Sequence, residues 1–447
     1  MNTPICDFVR HYAAQSPQRL HMPGHKGQGP LGIEALDITE IPGADSLFEA
    51  DGIIRESERN ASALFGADTY YSTEGSSLAI RAMLTLAVRY ARACGRPPVI
   101  AAAKNAHKVF LYACAMLDAP VQWLPVERDD SYLSASPTPA ALEQFLTACN
   151  ELPIAVYLTS PDYLGTLADI EALARVCHRH GVLLLVDNAH GAYLKFLTPS
   201  RHPIDLGADA CCDSAHKTLP ALTGTAYLHL SRNAPTKFGT GAKEALALFA
   251  STSPSYLLLQ SLDALNAYLD AGYARALGQF VSLAATAREG LMSAGYRLCG
   301  AEPLKWTVVA KARGYTGAEM AERLEKRGIV CEFFDRDYLV LMLSPLLGAG
   351  GLERLTQALL EIEARPPITD VPPHPLVGRT VLSPRQALLS PAEQLPIEAC
   401  VGRVLAAPSV SCPPAVPILV CGEEITPEAV RAFRYYGVST CSVVCQA

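Results

Sequence analysis

The chain has 447 residues, and 50% of them are hydrophobic while 18% are charged. This length and composition predict a globular protein with a large core divided among two or three domains. The formal net charge of −7, without a cluster of basic residues, argues against nucleic-acid binding.

The cysteines and the apolar segments indicate the cellular environment. The fourteen cysteines are scattered, and no Cys-x-x-Cys pair occurs, so the pattern predicts neither a metal site nor a disulfide framework. No apolar run reaches the roughly 20 residues of a membrane-spanning helix, and the N-terminal residues lack the apolar core of a signal peptide. We therefore expect a cytoplasmic protein without a membrane partner.

The first 70 residues predict two helices separated by a long loop. Apolar residues at helical spacing indicate a short amphipathic helix within residues 1–20. The segment HMPGHKG (21–27) is rich in glycine and proline and predicts a loop. A second helix is expected at about residues 51–65.

A short strand, a turn and a long helix are predicted over residues 69–92. Ser76 and Ser77 follow Gly75 at the start of that helix. Free backbone N–H groups and the helix dipole at such a position favour a phosphate group. An ordinary serine N-cap explains the same residues more simply.

Strands and helices then alternate up to about residue 230, which indicates a parallel, doubly wound sheet. One apolar run leads into Asp187, and a second short apolar segment ends at Ser214 and Lys217. Ligands of such sheets bind at the carboxyl ends of the strands. An acid and a lysine there are the pair that pyridoxal phosphate (PLP) chemistry needs. Taken singly, each is more often a loop cap or a surface charge.

The remaining third of the chain has a different pattern. Residues 241–295 read as helical, and residues 304–364 predict a small α+β domain with a hairpin turn at Arg336 and Asp337. The proline-rich segment 364–375 predicts a linker to a last module.

Around Asp187 and Lys217 the sequence resembles a known family, the ornithine/lysine/arginine decarboxylases. The resemblance is carried by DNAHGAY (187–193) and DSAHKTLPALTGTAYLH (213–229), and HMPGHKG (21–27) supports it. It covers nearly the whole chain, in a compact form without an N-terminal wing domain. It implies an α/β fold-type-I PLP enzyme with an aspartate-aminotransferase-like large domain, whose sheet is mainly parallel, a small α+β domain and a C-terminal module.

The resemblance also implies the domain boundaries. The C-terminal module is carried by SCPPAVPILVCGEEITPEAV (411–430), in which Cys412 and Cys421 stand where aromatic and proline residues are usual. The expected parts are an N-terminal arm (1–45), a PLP-binding large domain (46–295), a small α+β domain (296–365) and the decarboxylase-type C-terminal module (366–447).

Individual residues receive roles from the resemblance. Lys217 holds PLP through its amine, Asp187 keeps the ring nitrogen protonated, and His107 stacks on the ring. Lys217 or His216 returns a proton to Cα after CO2 leaves. The other cofactor-binding candidates are Gly75, Ser76, Ser77, Ser214, His216 and His190, although His190 serves equally well as a structural histidine.

Three positions depart from the family's pattern. Glu74 precedes the phosphate turn where Asn is usual, and Asn188 replaces an acid directly after Asp187. Tyr193 stands in place of a histidine and is a candidate substrate contact.

The implied function is decarboxylation of arginine, lysine or ornithine to a polyamine-pathway amine and CO2, in a homodimer or dimer-based oligomer. The distal cation of such a substrate requires a counter-charge, for which Glu49, Asp51 and Glu332 are candidates. Two alternatives remain: a PLP-dependent aminotransferase or lyase on the same fold, and a degenerate, non-catalytic PLP-binding protein. Intact Lys217 and Asp187 argue against the second.

Overall fold

The structure is a computed structural model that describes residues 1–125, 131–375, 378–410 and 417–446. Cys412 and the start of the predicted C-terminal motif lie outside the described residues. Among the described residues, no helix is both long enough and apolar enough to cross a bilayer.

The helices follow the predicted pattern closely. The loop at 21–27 and the helix after it are confirmed, and the helical region 241–295 divides into three helices. In chain order the helices are α1 Pro4–Ala14, α2 Ile53–Phe65, α3 Gly75–Ala93, α4 Lys108–Leu117, α5 Pro139–Ala148, α6 Ile170–Arg179, α7 Ala215–Thr218, α8 Ala242–Ala247, α9 Tyr256–Tyr268, α10 Ala274–Ser293, α11 Gly317–Glu325, α12 Gly348–Leu360, α13 Pro384–Leu389 and α14 Pro427–Tyr435.

The strands alternate with these helices over the first 230 residues, as predicted. They are β1 Asp68–Ser72, β2 Ile100–Ala102, β3 Val121–Trp123, β4 Ala155–Thr159, β5 Leu183–Asp187, β6 Ala210–Asp213, β7 Ala226–Leu230, β8 Leu298–Cys299, β9 Lys305–Val309, β10 Phe333–Phe334, β11 Tyr338–Met342, β12 Ala392–Pro396, β13 Ser409–Val410, β14 Pro417–Leu419 and β15 Thr440–Val444.

The chain divides into two compact units. Unit 1 contains Met1–Arg96 and Leu183–Arg275, and unit 2 contains Pro97–Val182 and Ala276–Ala447. The four-part domain division expected from the sequence stays a prediction.

In unit 1 the strands lie in the order β1, β7, β6, β5. The pair β5/β6 is parallel, whereas β6/β7 and β1/β7 are antiparallel. Every residue of β5 is buried, including Asp187 at its end, which explains the unbroken apolar run in the sequence. Because β5 and β6 run in the same direction, the residues that follow them meet at one edge of the sheet.

Unit 2 contains the parallel strands β4, β2 and β3, in that order, and an antiparallel sheet in the order β10, β11, β9, β8. Phe334 pairs with Leu339, so the predicted hairpin turn at Arg336 and Asp337 is confirmed. The C-terminal residues form β12/β15 and β13/β14 ribbons.

The C-terminal module packs against the earlier segment of unit 2 at several points. Tyr132 lies in the same apolar core as Ile418 and Phe433. Lys104, which is partly buried, forms an ion pair with the wholly buried Glu423, and its ammonium group lies 4.7 Å from the centroid of the Trp123 ring. The module therefore supports the loop that leads from β2 to α4.

One buried carboxylate organises the loop before α2 in unit 1. Asp45 is 5% exposed, and this loop carries Glu49 and Asp51. The Asp45 carboxylate accepts hydrogen bonds from backbone N–H groups of Ser46 (3.0 Å), Asp51 (3.1 Å), Gly52 (2.9 Å) and Ile54 (3.0 Å). The side chain therefore closes the loop and caps α2 at once.

We expect Asp45→Ala to lower the free energy of unfolding by about 2–3 kcal/mol, because several N–H groups lose a charged acceptor. Urea denaturation measures the loss. Asp45→Asn keeps one acceptor oxygen and should lose less, while the exposed neighbour variant Glu49→Ala should match the wild type. Equal stability of Asp45→Ala and Glu49→Ala would contradict this account.

A second buried acid, Asp162, lies in the loop after β4 in unit 2. Its carboxylate accepts hydrogen bonds from the backbone N–H groups of Leu164 (3.0 Å) and Thr166 (2.8 Å) and from the Ser134 hydroxyl. Burial raises the pKa of Asp162 from 3.8 to about 6, although these donors oppose the shift.

The fold therefore favours the protonated form of Asp162. Its contribution to stability is fully present below about pH 4 and is lost as the pH rises through about 6. We expect Asp162→Asn to remove this loss, so that the variant gains stability relative to the wild type between pH 4 and 7. Urea denaturation across that range measures the difference. Asp335, whose pKa burial also raises to about 6, contributes equally to both proteins. Parallel stability profiles would refute the assignment.

Candidate active site

Asp187 occupies the end of β5, as the sequence predicts. Its side chain is buried, and its Oδ1 accepts a hydrogen bond from the backbone N–H of Ala189 at 3.2 Å. The thiol of Cys212, which pairs with Asp187 across the parallel strands, lies 3.6 Å from the same oxygen. Burial keeps water from this carboxylate and strengthens its interaction with any cation that binds beside it.

Lys217 lies in α7, immediately after β6. Its side chain is exposed, and its Nζ is 3.1 Å from Nε2 of His190. His190 follows Asp187 by three residues and is 7% exposed. The structure therefore brings the predicted lysine and the predicted histidine into direct contact at the edge where β5 and β6 end.

His216 precedes Lys217 and has one ring nitrogen engaged. Its Nδ1 lies 2.9 Å from the carbonyl oxygen of Thr225 and donates to it. This contact fixes the orientation of the ring and makes Nε2 the nitrogen that can exchange a proton with a ligand.

The predicted phosphate turn lies at the start of α3. Gly75 has φ of +67°, and its N–H donates to the carbonyl of Gly224 at 2.7 Å. Gly75 therefore contributes a backbone conformation that favours glycine. Its N–H is already engaged and does not contribute to the predicted phosphate site. Ser76 accepts a hydrogen bond from the Ser214 hydroxyl at 2.9 Å, which joins the helix start to the end of β6. Ser77 occupies the next position of the same turn.

Glu74, the acid before this turn, has a partner of its own. Its carboxylate accepts a hydrogen bond from the backbone N–H of Ser251 at 2.7 Å. This contact holds the acid at the loop that contains Ser251.

His107 belongs to unit 2, where it is the N-cap residue of α4. Its Nδ1 accepts a hydrogen bond from the backbone N–H of Val109 at 3.3 Å. The capping function is thus present, and the stacking role stays a prediction. Lys104, three residues earlier, connects this loop to Glu423.

The substrate candidates are distributed between the units. Glu49 and Asp51 are exposed on the loop that Asp45 organises in unit 1. Glu332 is exposed in unit 2 and accepts a hydrogen bond from the Tyr163 hydroxyl at 3.2 Å. Tyr193 has no accessible surface, and its contact with a substrate stays a prediction.

A buried polar network surrounds Asp213, and no sequence pattern predicted it. This carboxylate accepts hydrogen bonds from the amide of Asn188 (2.6 Å), from Nε2 of His202 (3.0 Å) and from Nε2 of His229 (3.2 Å). Nδ1 of His229 lies 2.9 Å from the hydroxyl of Thr69. The acid at the end of β6, beside the predicted lysine segment, was the one signal available in the sequence.

Burial disfavours ionisation of Asp213, but His202 and His229 outweigh it and hold the pKa of this carboxyl well below its usual range. Burial lowers the pKa of His229, against the opposing effect of Asp213. These shifts favour the ionised form of Asp213 and the neutral form of His229.

Donor atoms of His202, Cys211 and Asp213 lie within 4.8 Å of one another, a spacing that could hold a metal ion. Two observations favour a hydrogen-bonded network instead. His202 already donates to Asp213, and among the described residues Nδ1 of His202 has no hydrogen-bond partner. A metal-bound histidine almost always donates its other N–H to a neighbouring acceptor.

Comparisons with known proteins agree with the geometry. The profile described as "Orn/Lys/Arg decarboxylase, major domain" matches residues 3–297. An arginine decarboxylase of Bacillus subtilis is 30% identical over 96% of this chain and 92% of its own length. One from Halalkalibacterium halodurans is 30% identical over 97% of this chain and 93% of its own.

A solved structure supports the fold. The lysine decarboxylase of Francisella novicida superposes with a TM-score of 0.81 at 17% identity, covering 99% of this chain and 81% of that one. This likeness confirms the predicted α/β, fold-type-I architecture. With a family profile that matches about two thirds of its length, the chain belongs to the Orn/Lys/Arg decarboxylase family.

Proposed function

We propose that this chain is an amino acid decarboxylase that removes the α-carboxylate of a basic amino acid, with PLP as its cofactor. The observation that carries the proposal is the convergence, in unit 1, of Asp187, Lys217 and the Ser76 turn at the ends of β5 and β6. An acid, an amine and an anion-binding helix start are the three groups that this cofactor requires.

The residues of unit 1 fit the cofactor. At Gly75 an added Cβ would meet no atom within 4 Å, so the turn is open to a ligand. The first N–H groups of α3 have no intrahelical acceptor and can receive phosphate oxygens. Asp187 would hold the ring nitrogen, and Lys217 would bind the aldehyde carbon. When bound, PLP accepts the electrons released as the bond between Cα and the carboxylate breaks.

Side chains of this chain would transfer protons and stabilise charge during the reaction. Lys217 and His190, 3.1 Å apart, can share a proton at Nζ of the lysine. His216, oriented by Thr225, offers Nε2 as a proton donor to Cα. Asp187 is buried out of contact with bulk water and offers its carboxylate to a cation beside it.

Substrate choice is part of the same proposal. Arginine, lysine and ornithine each carry a distal cation, which is costly to bury without a carboxylate. Glu49, Asp51 and Glu332 are the acids that we propose for this contact. The expected product is an amine of polyamine metabolism. We propose a homodimer in the cytoplasm as the working form.

Lys217→Ala should abolish turnover and the borohydride-reducible bond between protein and cofactor, with at least a thousandfold loss of kcat expected. Because the side chain is exposed, the variant should keep its fold and melting temperature. The exposed lysine variant Lys237→Ala is the control and should behave as the wild type. A borohydride-fixed cofactor on another lysine of Lys217→Ala would remove Lys217 from the site.

The substrate class is tested by measuring CO2 and amine release from arginine, lysine and ornithine beside leucine, glutamate and tyrosine. We expect release from the basic set alone. The variants Glu49→Gln, Asp51→Asn and Glu332→Gln each remove one candidate acid. The variant that removes an acid in contact with the distal cation should have a higher KM for the basic substrate. Release from only the apolar or acidic set would overturn the basic-substrate proposal. Consumption of a 2-oxo acid without CO2 would identify an aminotransferase.

A further inference from the structure

Asp213 is a buried anion without a cation among its hydrogen-bond partners. Its carboxylate has no accessible surface and is bound by one amide and two imidazoles. Three donors satisfy its oxygens, but hydrogen bonds from neutral groups do not cancel the charge. A buried, uncompensated charge destabilises a fold, so its retention calls for a physical reason.

The protonation of the network follows from its geometry. His229 donates through Nε2 to Asp213, and its Nδ1 can accept the hydrogen of the Thr69 hydroxyl, which gives a neutral ring. His202 donates through Nε2, and a second proton on its Nδ1 would be buried without an acceptor among the described residues. Two neutral histidines leave the network with a net charge of −1.

Other charges near the network do not neutralise it. The ammonium group of Lys195 lies 2.6 Å from Oδ1 of Asp205 and is therefore already paired. Burial raises the pKa of the Cys211 thiol well above its usual value, and Asp213 adds to that shift, so Cys211 stays neutral.

The network lies directly behind the proposed cofactor acid. Asp187 pairs with Cys212 on β6, and Asp213 is the next residue along that strand. Side chains alternate across a strand, so Cys212 contacts Asp187 on one face and Asp213 contacts Asn188 on the other. The two carboxylates therefore lie on opposite faces at the ends of neighbouring strands.

We propose that Asp213 supplies a second buried negative charge, behind Asp187, that favours the protonated ring of bound PLP. The inference rests on the proposed function and deepens it. In this arrangement Asn188 stabilises the buried carboxylate of Asp213, because its amide donates to that carboxylate at 2.6 Å. Asp213 is a positioning residue that acts through the electrostatic field and does not touch the cofactor.

Asp213→Asn removes this charge with little change of shape. The amide oxygen of the new side chain can accept from Asn188, and its NH2 group can donate to Nε2 of both histidines after they change tautomer. His229 then donates through Nδ1 to Thr69, and only Nδ1 of His202 is left without an acceptor. If the role of Asp213 is purely structural, the substitution should change little besides protein stability. If the role is electrostatic, it should weaken the binding of a ligand that carries the ring nitrogen and spare one that lacks it.

The test compares two ligands with the apo forms of wild type and Asp213→Asn. One ligand is PLP, and the other is the 1-deaza analogue, in which carbon replaces the ring nitrogen. Spectrophotometric titration gives both dissociation constants. A unit charge about 10 Å away at an effective dielectric constant of 20 changes an equilibrium roughly tenfold. We expect Asp213→Asn to bind PLP about tenfold more weakly and the analogue with unchanged affinity.

Urea denaturation of the apo proteins provides an independent measurement. We expect apo Asp213→Asn to be at least as stable as apo wild type, because the uncompensated charge is gone. Asp209→Asn is the matched control, since Asp209 is a buried acid before the other end of β6 that accepts from the backbone N–H of Leu184 at 2.8 Å. In the ligand titrations, the ratio of PLP affinity to analogue affinity of Asp209→Asn should equal that of the wild type.

The outcomes separate this inference from the proposed function. Wild type that binds neither ligand refutes the function and the inference together. Wild type that binds PLP, with an unchanged affinity ratio in Asp213→Asn, refutes only the inference, as does stoichiometric zinc in the purified protein. If Asp213→Asn does not fold, the exchanged pair Asn188→Asp with Asp213→Asn keeps a charge in the network. That pair should retain the preference for PLP, and its loss would overturn the inference.

Discussion

The parallel pairing of β5 with β6 is the constraint on which the rest of the site depends. Leu185, Val186 and Asp187 lie opposite Ala210, Cys211 and Cys212, so two strands that are distant in sequence end at the same edge. A shift by one residue would move every side chain to the other face of the sheet. The side chains of Asp187 and Asn188 would then exchange faces. The fully buried strands, which fix this register, are therefore a condition of the chemistry.

The two faces at this edge have different composition because they perform different tasks. On one face lies the buried Asp187, and His190, three residues later, contacts the exposed Lys217. On the other face Asp213 is enclosed by the amide of Asn188 and two imidazoles and has no access to water. A low dielectric around a fixed charge lengthens its electrostatic reach. The packing behind the site thus belongs to its electrostatics as much as to its stability.

The local sequence pattern was sufficient to place the residues that directly follow a strand or begin a helix. Asp187 and Lys217 follow buried strands, and Ser76 starts a helix, so each could be placed from a short stretch of sequence. The Asp213 network could not, because His202 and His229 come from separate segments and meet the acid only through tertiary packing. The burial of Tyr193 could not be predicted for the same reason, since it is set by tertiary packing. The candidate substrate acids depend on the same kind of long-range placement.

The ion pair between Lys104 and Glu423 bears on how this protein can change in evolution. Glu423 is wholly buried and also accepts a hydrogen bond from the backbone N–H of Val420. A chain that lost its C-terminal segment would leave the Lys104 ammonium against Trp123 without a counter-charge. A recombinant of two relatives that inherits only one of these partners therefore carries an uncompensated charge. This ion pair thus couples the terminal segment to the loop before α4, although more than 300 residues separate them.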